Sequence, residues 1–238
     1  MAITLRAGQA AVVTSLGAVI LLAWAYVVLM AAHGMHSASY AASMFLMWVL
    51  MMVAMMLPSA LPTILILERF ERSRAAAAGR ATALFAAGYL LVWVGFSAAA
   101  TLAQWGLERS GLLSADLALR GTWIAAATFI AAGAYQFAPF KRSCLEACRS
   151  PLGFLSSNWR DGPRGALLMG LHHGALCLGC CWLLMALLFV GGVMNLLWIV
   201  PVALFVFIEK CLPGGERMGK VGGALLIAWG AAALFFAA

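Results

Sequence analysis

Residues 43–67 read SMFLMWVLMMVAMMLPSALPTILIL and include no charged side chain. The apolar residues follow one another continuously, without the alternation that marks a half-buried strand. A helix needs about 20 such residues to cross the hydrocarbon core of a bilayer. Because only helices and closed barrels satisfy their backbone hydrogen bonds in lipid, this segment predicts a membrane-spanning helix.

The composition of the whole chain agrees with this prediction. Of the 238 residues, 65% are hydrophobic and 10% are charged, and the mean hydropathy is +1.00. Soluble domains average about 45–50% apolar and about 25% charged residues, so a water-soluble globule is excluded. Disorder is excluded too, because disordered chains combine low hydrophobicity with high net charge. We predict a single integral membrane domain over residues 1–238.

The predicted fold is all-α, a polytopic membrane helix bundle with about seven transmembrane helices. Each of its spans is a long apolar run between breaks that contain charges, Gly or Pro. The first run is too long for the apolar region of a signal peptide, so we expect it to be retained. In the second, Pro58 and Pro62 predict a kink or an early end. The predicted spans are 10–32, 43–67, 81–105, 121–139, 165–190, 194–209 and 221–237.

The positive charges predict the orientation of the bundle. Thirteen of the 15 Lys and Arg residues fall on the side of the N-terminus, and Arg109 and Arg120 fall on the other. The positive-inside rule then places the N-terminus in the cytoplasm and the C-terminus outside. The same rule explains the net charge of +7, so we expect no nucleic acid partner.

The fifth predicted helix is rich in soft metal ligands. At 100° per residue, Met169, His173, Cys177 and Cys180 share an arc of about 80°, with His172 and Cys181 on its flanks. Thiolate and imidazole favour Cu(I) or zinc over hard cations. Cysteines also fill cores, and histidines also join helices. Five such residues within ten positions at membrane depth, where ionisable groups are costly, favour a site.

The second helix carries a stripe of methionines. Met44, Met47, Met51 and Met55 share one face, and Met52 and Met56 lie beside it. Neutral thioethers suit Cu(I) in hydrocarbon, although methionines also fill irregular gaps. The helical rise puts residues 51–56 at about the depth of Cys177–Cys181.

Further soft ligands extend this pattern to both faces of the membrane. Cys144 and Cys148 are one helical turn apart on the cytoplasmic side, where neighbouring Lys and Arg favour thiolates. Met30, His33, Met35, His36 and Met194 gather at the outer face. Glu209 and Lys210 are expected to form a local pair or a snorkelling anchor. The predicted metal ligands are His172, His173, Cys177, Cys180, Cys181, Met47, Met51, Met52, Met55, Met56, Cys144 and Cys148.

Several segments of the chain resemble one bacterial family, that of predicted metal-binding integral membrane proteins, which includes membrane copper chaperones for polyphenol oxidases. The resemblance covers about residues 44 to 230, and its Gly-Cys-Cys-Trp block is fairly specific. It implies a multi-pass location in the inner membrane of a bacterium and metal handling, with copper as the leading metal, and it carries no catalytic residues. The similar segments are MWVLMMVAMMLP (47–58), KRSCLEACRSP (141–151), HGALCLGCCWLLM (173–185), Met194-Asn195 and Glu209-Lys210.

We therefore expect a membrane protein that binds Cu(I), or zinc as the second choice, and passes it to a membrane or periplasmic partner. No catalytic residues are predicted, so we favour a binding protein over an enzyme. The sequence has no P-loop, so we expect no nucleotide.

Other functions remain open. Cys177 and Cys180 form a CxxC pair that could act in a thiol–disulfide relay. A single histidine could hold a chlorin pigment, whereas His172 and His173 point about 100° apart and cannot both ligate one haem iron. An accessory or assembly subunit of a larger membrane complex also fits this composition.

Overall fold

The structure is a computed structural model and describes residues 7–33, 40–74, 78–114 and 117–237. Among these residues the regular elements are helices. The helices are α1 (Ala7–His33), α2 (Tyr40–Arg74), α3 (Ala78–Arg109), α4 (Thr122–Tyr135), α5 (Pro139–Arg149), α6 (Pro151–Asn158), α7 (Gly162–Ala186), α8 (Leu188–Gly191), α9 (Leu196–Cys211) and α10 (Gly215–Ala237). The loop between α3 and α4 contains one isolated bridge between Leu113 and Leu119. The predicted all-α class is therefore confirmed.

Five helical segments are long and apolar enough to cross a membrane: α1, α2, α3, α7 together with α8, and α10. A sixth results if α4 and α5, which are bent by 64° relative to each other, form one broken span. The predicted sixth span corresponds to α9, which has 16 residues and is shorter than the usual span of about 20. Length and composition therefore support five candidate spans, or up to six, among the described residues, and the predicted count of seven is not confirmed.

Helix α2 runs without interruption through both of its prolines, so the early end that they suggested does not occur. A proline has no N–H, so the carbonyls of Ala54 and Pro58 lose their helical partners. In the same part of α2, a backbone carbonyl accepts hydrogen bonds from two hydroxyl groups. Ser59 Oγ and Tyr89 Oη donate to the Met56 carbonyl, at 2.8 and 3.0 Å. The second of these bonds ties α2 to α3.

Glycines bring α3 and α7 into backbone contact. A Cβ atom on Gly170 would lie 2.1 Å from the carbonyl oxygen of Phe85, and one on Gly88 would lie 2.4 Å from that of Leu167. Small residues permit this close approach between membrane helices. The contact leaves little freedom in how the buried face of α7, which carries the cysteines, is turned toward α3.

A buried ion pair joins α5 to the end of α9. Lys141 Nζ lies 2.8 Å from Glu209 Oε2, and the two side chains are 2% and 1% exposed. Arg149 donates to the carbonyl oxygen of Glu209, in the last turn of α9, and to that of Leu212, which also accepts from the Gly215 N–H. A Cβ on Gly219 would lie 2.3 Å from Glu209 Oε1, so α10 packs closely here too. The C-terminal end of α9 is therefore held by α5 on one side and α10 on another.

Gly170→Ala should destabilise the protein, because its methyl group would meet backbone and not a movable side chain. We expect the free energy of unfolding to fall by at least about 2 kcal/mol, measured by thermal unfolding in detergent. Gly95→Ala in α3 is the matched control, since a Cβ there meets nothing within 4 Å. Equal stability of the two variants would contradict the glycine contact.

Glu209→Gln should leave the Lys141 ammonium buried without a counter-charge. Breaking a buried pair in this way costs about 3–5 kcal/mol, whereas an exposed pair contributes about 0–1 kcal/mol. The control is Glu146→Gln, which removes an exposed partner of Arg142. Thermal unfolding of both variants should show a large loss for the first and little change for the second. A similar loss in both would refute the proposed role of the buried pair.

Candidate metal centre

Four side chains from three helices meet inside the bundle: Met56 of α2, Cys177 and Cys181 of α7, and Lys210 of α9. We call them the sulfur cluster. Lys210 Nζ lies 2.9 Å from Cys177 Sγ, 3.5 Å from Cys181 Sγ and 3.9 Å from Met56 Sδ. Cys181 Sγ also lies 3.9 Å from Met56 Sδ. Lys210 is 5% exposed and the three sulfur residues are at most 2% exposed, so the cluster is dry.

The register of α7 explains why its cysteines converge. Cys177 and Cys181 are one turn apart on one face of the helix, and the thiol of Cys181 donates to the Cys177 carbonyl at 3.0 Å. Cys180 also donates to that carbonyl, at 3.0 Å. Cys148 of α5 is 9% exposed and lies beside Cys177 and Cys180. The cluster is therefore continuous with a second group of thiols toward α5.

Tyr89 and His173 border the cluster on the side of α3. The Tyr89 hydroxyl lies 3.0 Å from Cys177 Sγ. The His173 ring is 2% exposed and packs against Phe85, Tyr89 and Phe154, with centroid distances of 5.8, 5.8 and 4.8 Å. Its Nδ1 atom is buried and has no hydrogen-bond partner among the described residues. His173, one helical turn from Cys177, thus has an unpartnered ring nitrogen that is available as a metal ligand.

The donor set of the cluster is soft. Thiolates and thioethers select Cu(I) over hard cations, and a neighbouring ammonium group favours the thiolate form of cysteine. Among the described residues, no three His, Cys, Asp or Glu side chains are arranged to hold a metal ion. The ligands that converge are instead two thiols and the thioether of Met56, a chemistry that fits a soft monovalent ion.

The other predicted ligands are distributed around this centre. Cys148 and Cys180 adjoin it, and Cys144 Sγ lies next to Gly179, where a Cβ would come within 2.9 Å. His172 is exposed and packs on Phe154, with ring centroids 5.6 Å apart, so it does not share the dry interior of His173. The predicted α2 methionines other than Met56 are buried along that helix: Met47, Met51, Met52 and Met55.

The outer end of the methionine stripe has its own polar partners. The Met44 sulfur accepts a hydrogen bond of 2.8 Å from Gln104 Nε2, and Gln104 Oε1 accepts one of 2.7 Å from Trp48. Met35 and His36, which we placed at the outer face, lie outside the described residues, as does the side chain of His33.

Sequence reasoning misjudged Lys210 and missed Tyr89. We expected Lys210 to pair locally with Glu209 or to reach the membrane surface. Instead Glu209 pairs with Lys141, and Lys210 points into the sulfur cluster. Consecutive residues of a helix point about 100° apart, and this angle could have indicated that Glu209 and Lys210 contact different partners. No spacing or motif distinguished Tyr89 from the other aromatic residues.

The comparisons with known proteins agree with this chemistry. A family model described as "PpoB2: Copper chaperone" matches residues 45–233. Neither a curated protein nor a solved structure matches the chain. The matched segment includes the whole sulfur cluster and every predicted ligand, and it leaves out α1. The chain belongs to the PpoB2 copper chaperone family.

Proposed function

We propose that this protein binds Cu(I) at the sulfur cluster, through Cys177, Cys181 and Met56, and delivers it to a partner protein. The observation that carries the proposal is the meeting of these three sulfur atoms, from two helices, in the buried interior within 3.9 Å of the Lys210 ammonium. Zinc remains the second choice of metal, because thiolates bind it as well.

Transfer would proceed by exchange of one soft ligand for the next. On the side of α5, Cys148 and Cys180 adjoin Cys177, and on the side of α3, His173 offers an unpartnered nitrogen. On the other side, the buried methionines of α2 lead from Met56 to Met44, over about 18 Å of helix. The ion would thus move between charged thiolates and neutral thioethers, and either direction of transfer is compatible with this order.

The proposed membrane arrangement has seven spans, with the N-terminus in the cytoplasm and the C-terminus outside. It counts α4 with α5 as one broken span and α9 as a short one, and it is supported by the thirteen-to-two distribution of Lys and Arg. The thiol-rich end of the path then faces the cytoplasm of a bacterium, and Met44 faces the outside. The partner would be a membrane or periplasmic protein with soft ligands of its own.

Replacing both thiols of the cluster should weaken copper binding. We expect Cys177→Ser/Cys181→Ser to lose at least about tenfold in Cu(I) affinity, because serine hydroxyls are hard donors. The measurement is anaerobic competition with a chromophoric Cu(I) chelator. Cys211→Ser, outside the cluster, is the control and should bind as the parent does. Unchanged Cu(I) binding by the double variant would refute the site. Mixed disulfides trapped with a partner thiol, instead of Cu(I) binding, would favour the thiol–disulfide relay.

A reporter enzyme that is active only outside the cytoplasm tests the topology. Fused after Ala238 it should be active, and fused after Gly214, between α9 and α10, it should be inactive. These outcomes follow from α10 crossing the membrane outward. Activity at both positions, or at neither, would overturn the proposed orientation.

A further inference from the structure

Lys210 contributes a positive charge to a place where the proposed cargo is also positive. Its ammonium lies within 3.9 Å of all three sulfur atoms of the cluster. A cation beside a cation site usually weakens binding, so its presence needs a reason. We propose that Lys210 is the residue that selects a monovalent over a divalent metal ion; this inference rests on the proposed function.

Among the described residues, no carboxylate forms an ion pair with Lys210. Glu209, its neighbour in sequence, is paired with Lys141 at 2.8 Å, and that pair is neutral as a unit. The groups that face the Lys210 ammonium are the two thiols of the cluster, the Met56 thioether, the neighbouring Cys180 thiol and, beside Cys177, the Tyr89 hydroxyl. The thiolates must therefore supply the negative charge that accompanies this ammonium.

A count of charges then separates the metals. When Cys177 and Cys181 both bind as thiolates, they and Lys210 together carry one net negative charge. A monovalent ion makes the filled site neutral, whereas a divalent ion leaves it with one positive charge. An uncompensated charge is costly in a buried, low-dielectric site. Without Lys210 the preference between the two ions reverses, because a divalent ion neutralises two thiolates whereas a monovalent ion leaves one negative charge.

The position of Lys210 is fixed well enough for this role. The last turn of α9 is held by the Lys141–Glu209 pair and by the hydrogen bonds of Arg149. A lysine at the end of a membrane helix normally extends its charged group toward water. Here the side chain is 5% exposed and directed at sulfur, so it forms part of the site.

The test compares Cu(I) and Zn(II) affinities of the full-length protein in lipid nanodiscs, each by competition with a chelator specific for that metal. Lys210→Met should lower the ratio of Cu(I) to Zn(II) affinity by about tenfold or more. Lys210→Arg keeps the charge and should keep the ratio within about threefold. Lys220→Met removes a half-exposed lysine of α10 and should leave the ratio unchanged.

Each outcome has a defined meaning. An unchanged ratio in Lys210→Met, or an equal loss of both affinities, would overturn the selectivity role. If Lys210→Met does not fold, Lys210→Gln provides the same neutral side chain with a polar end, and the same ratio decides. The proposed function fails separately, if the parent protein binds no Cu(I) or if Cys177→Ser/Cys181→Ser binds it equally well.

Discussion

The backbone contact between α3 and α7 determines where the chemically important side chains lie. Gly88 and Gly170 let the two helices approach until carbonyl oxygens occupy the space of a side chain. Tyr89 follows Gly88 directly, and Cys177 lies two turns beyond Gly170, so the crossing brings their polar atoms to 3.0 Å. With a wider spacing, the hydroxyl of Tyr89 would not reach both Cys177 and the Met56 carbonyl. One steric condition thus links α2, α3 and α7.

The second constraint is electrical, because the interior holds charges that water cannot solvate. Lys141 and Glu209 neutralise each other at 2.8 Å, and Lys210 lies against thiols that can carry negative charge. Removing one partner of such a group costs much more than the group itself contributes to stability. The Lys141–Glu209 pair and the contact of Lys210 with the thiols involve adjacent residues of α9, yet they have different roles. The first holds the end of the helix, and the second adds charge to the centre.

The sequence was sufficient for the helical class and for the proximity of Cys177, Cys181 and Met56, and its failures have physical causes. Helical rise alone put Met56 at the depth of Cys181, and their sulfurs are 3.9 Å apart. Lys210 was misjudged because adjacency in sequence suggested a pair with Glu209 that helix geometry separates. The spacing of Gly170 and Gly174 matches the small-xxx-small pattern of close helix contacts, and it could have indicated the crossing. The burial of His173 and exposure of His172 depended on packing partners from other helices.

A chaperone must hold its ion and also release it, and the charges of this chain separate the two tasks. At the sulfur cluster, two thiolates and Lys210 would make bound Cu(I) neutral, so it can rest there in a medium of low dielectric. On the methionines of α2 the same ion would keep its full charge, because thioethers are neutral, and burying that charge is costly. Under the proposed function the methionine thioethers therefore bind Cu(I) only transiently during transfer, and the two thiols of the sulfur cluster bind it stably. Direction then depends on whether a partner at either end offers the ion a lower free energy than Cys177 and Cys181 do.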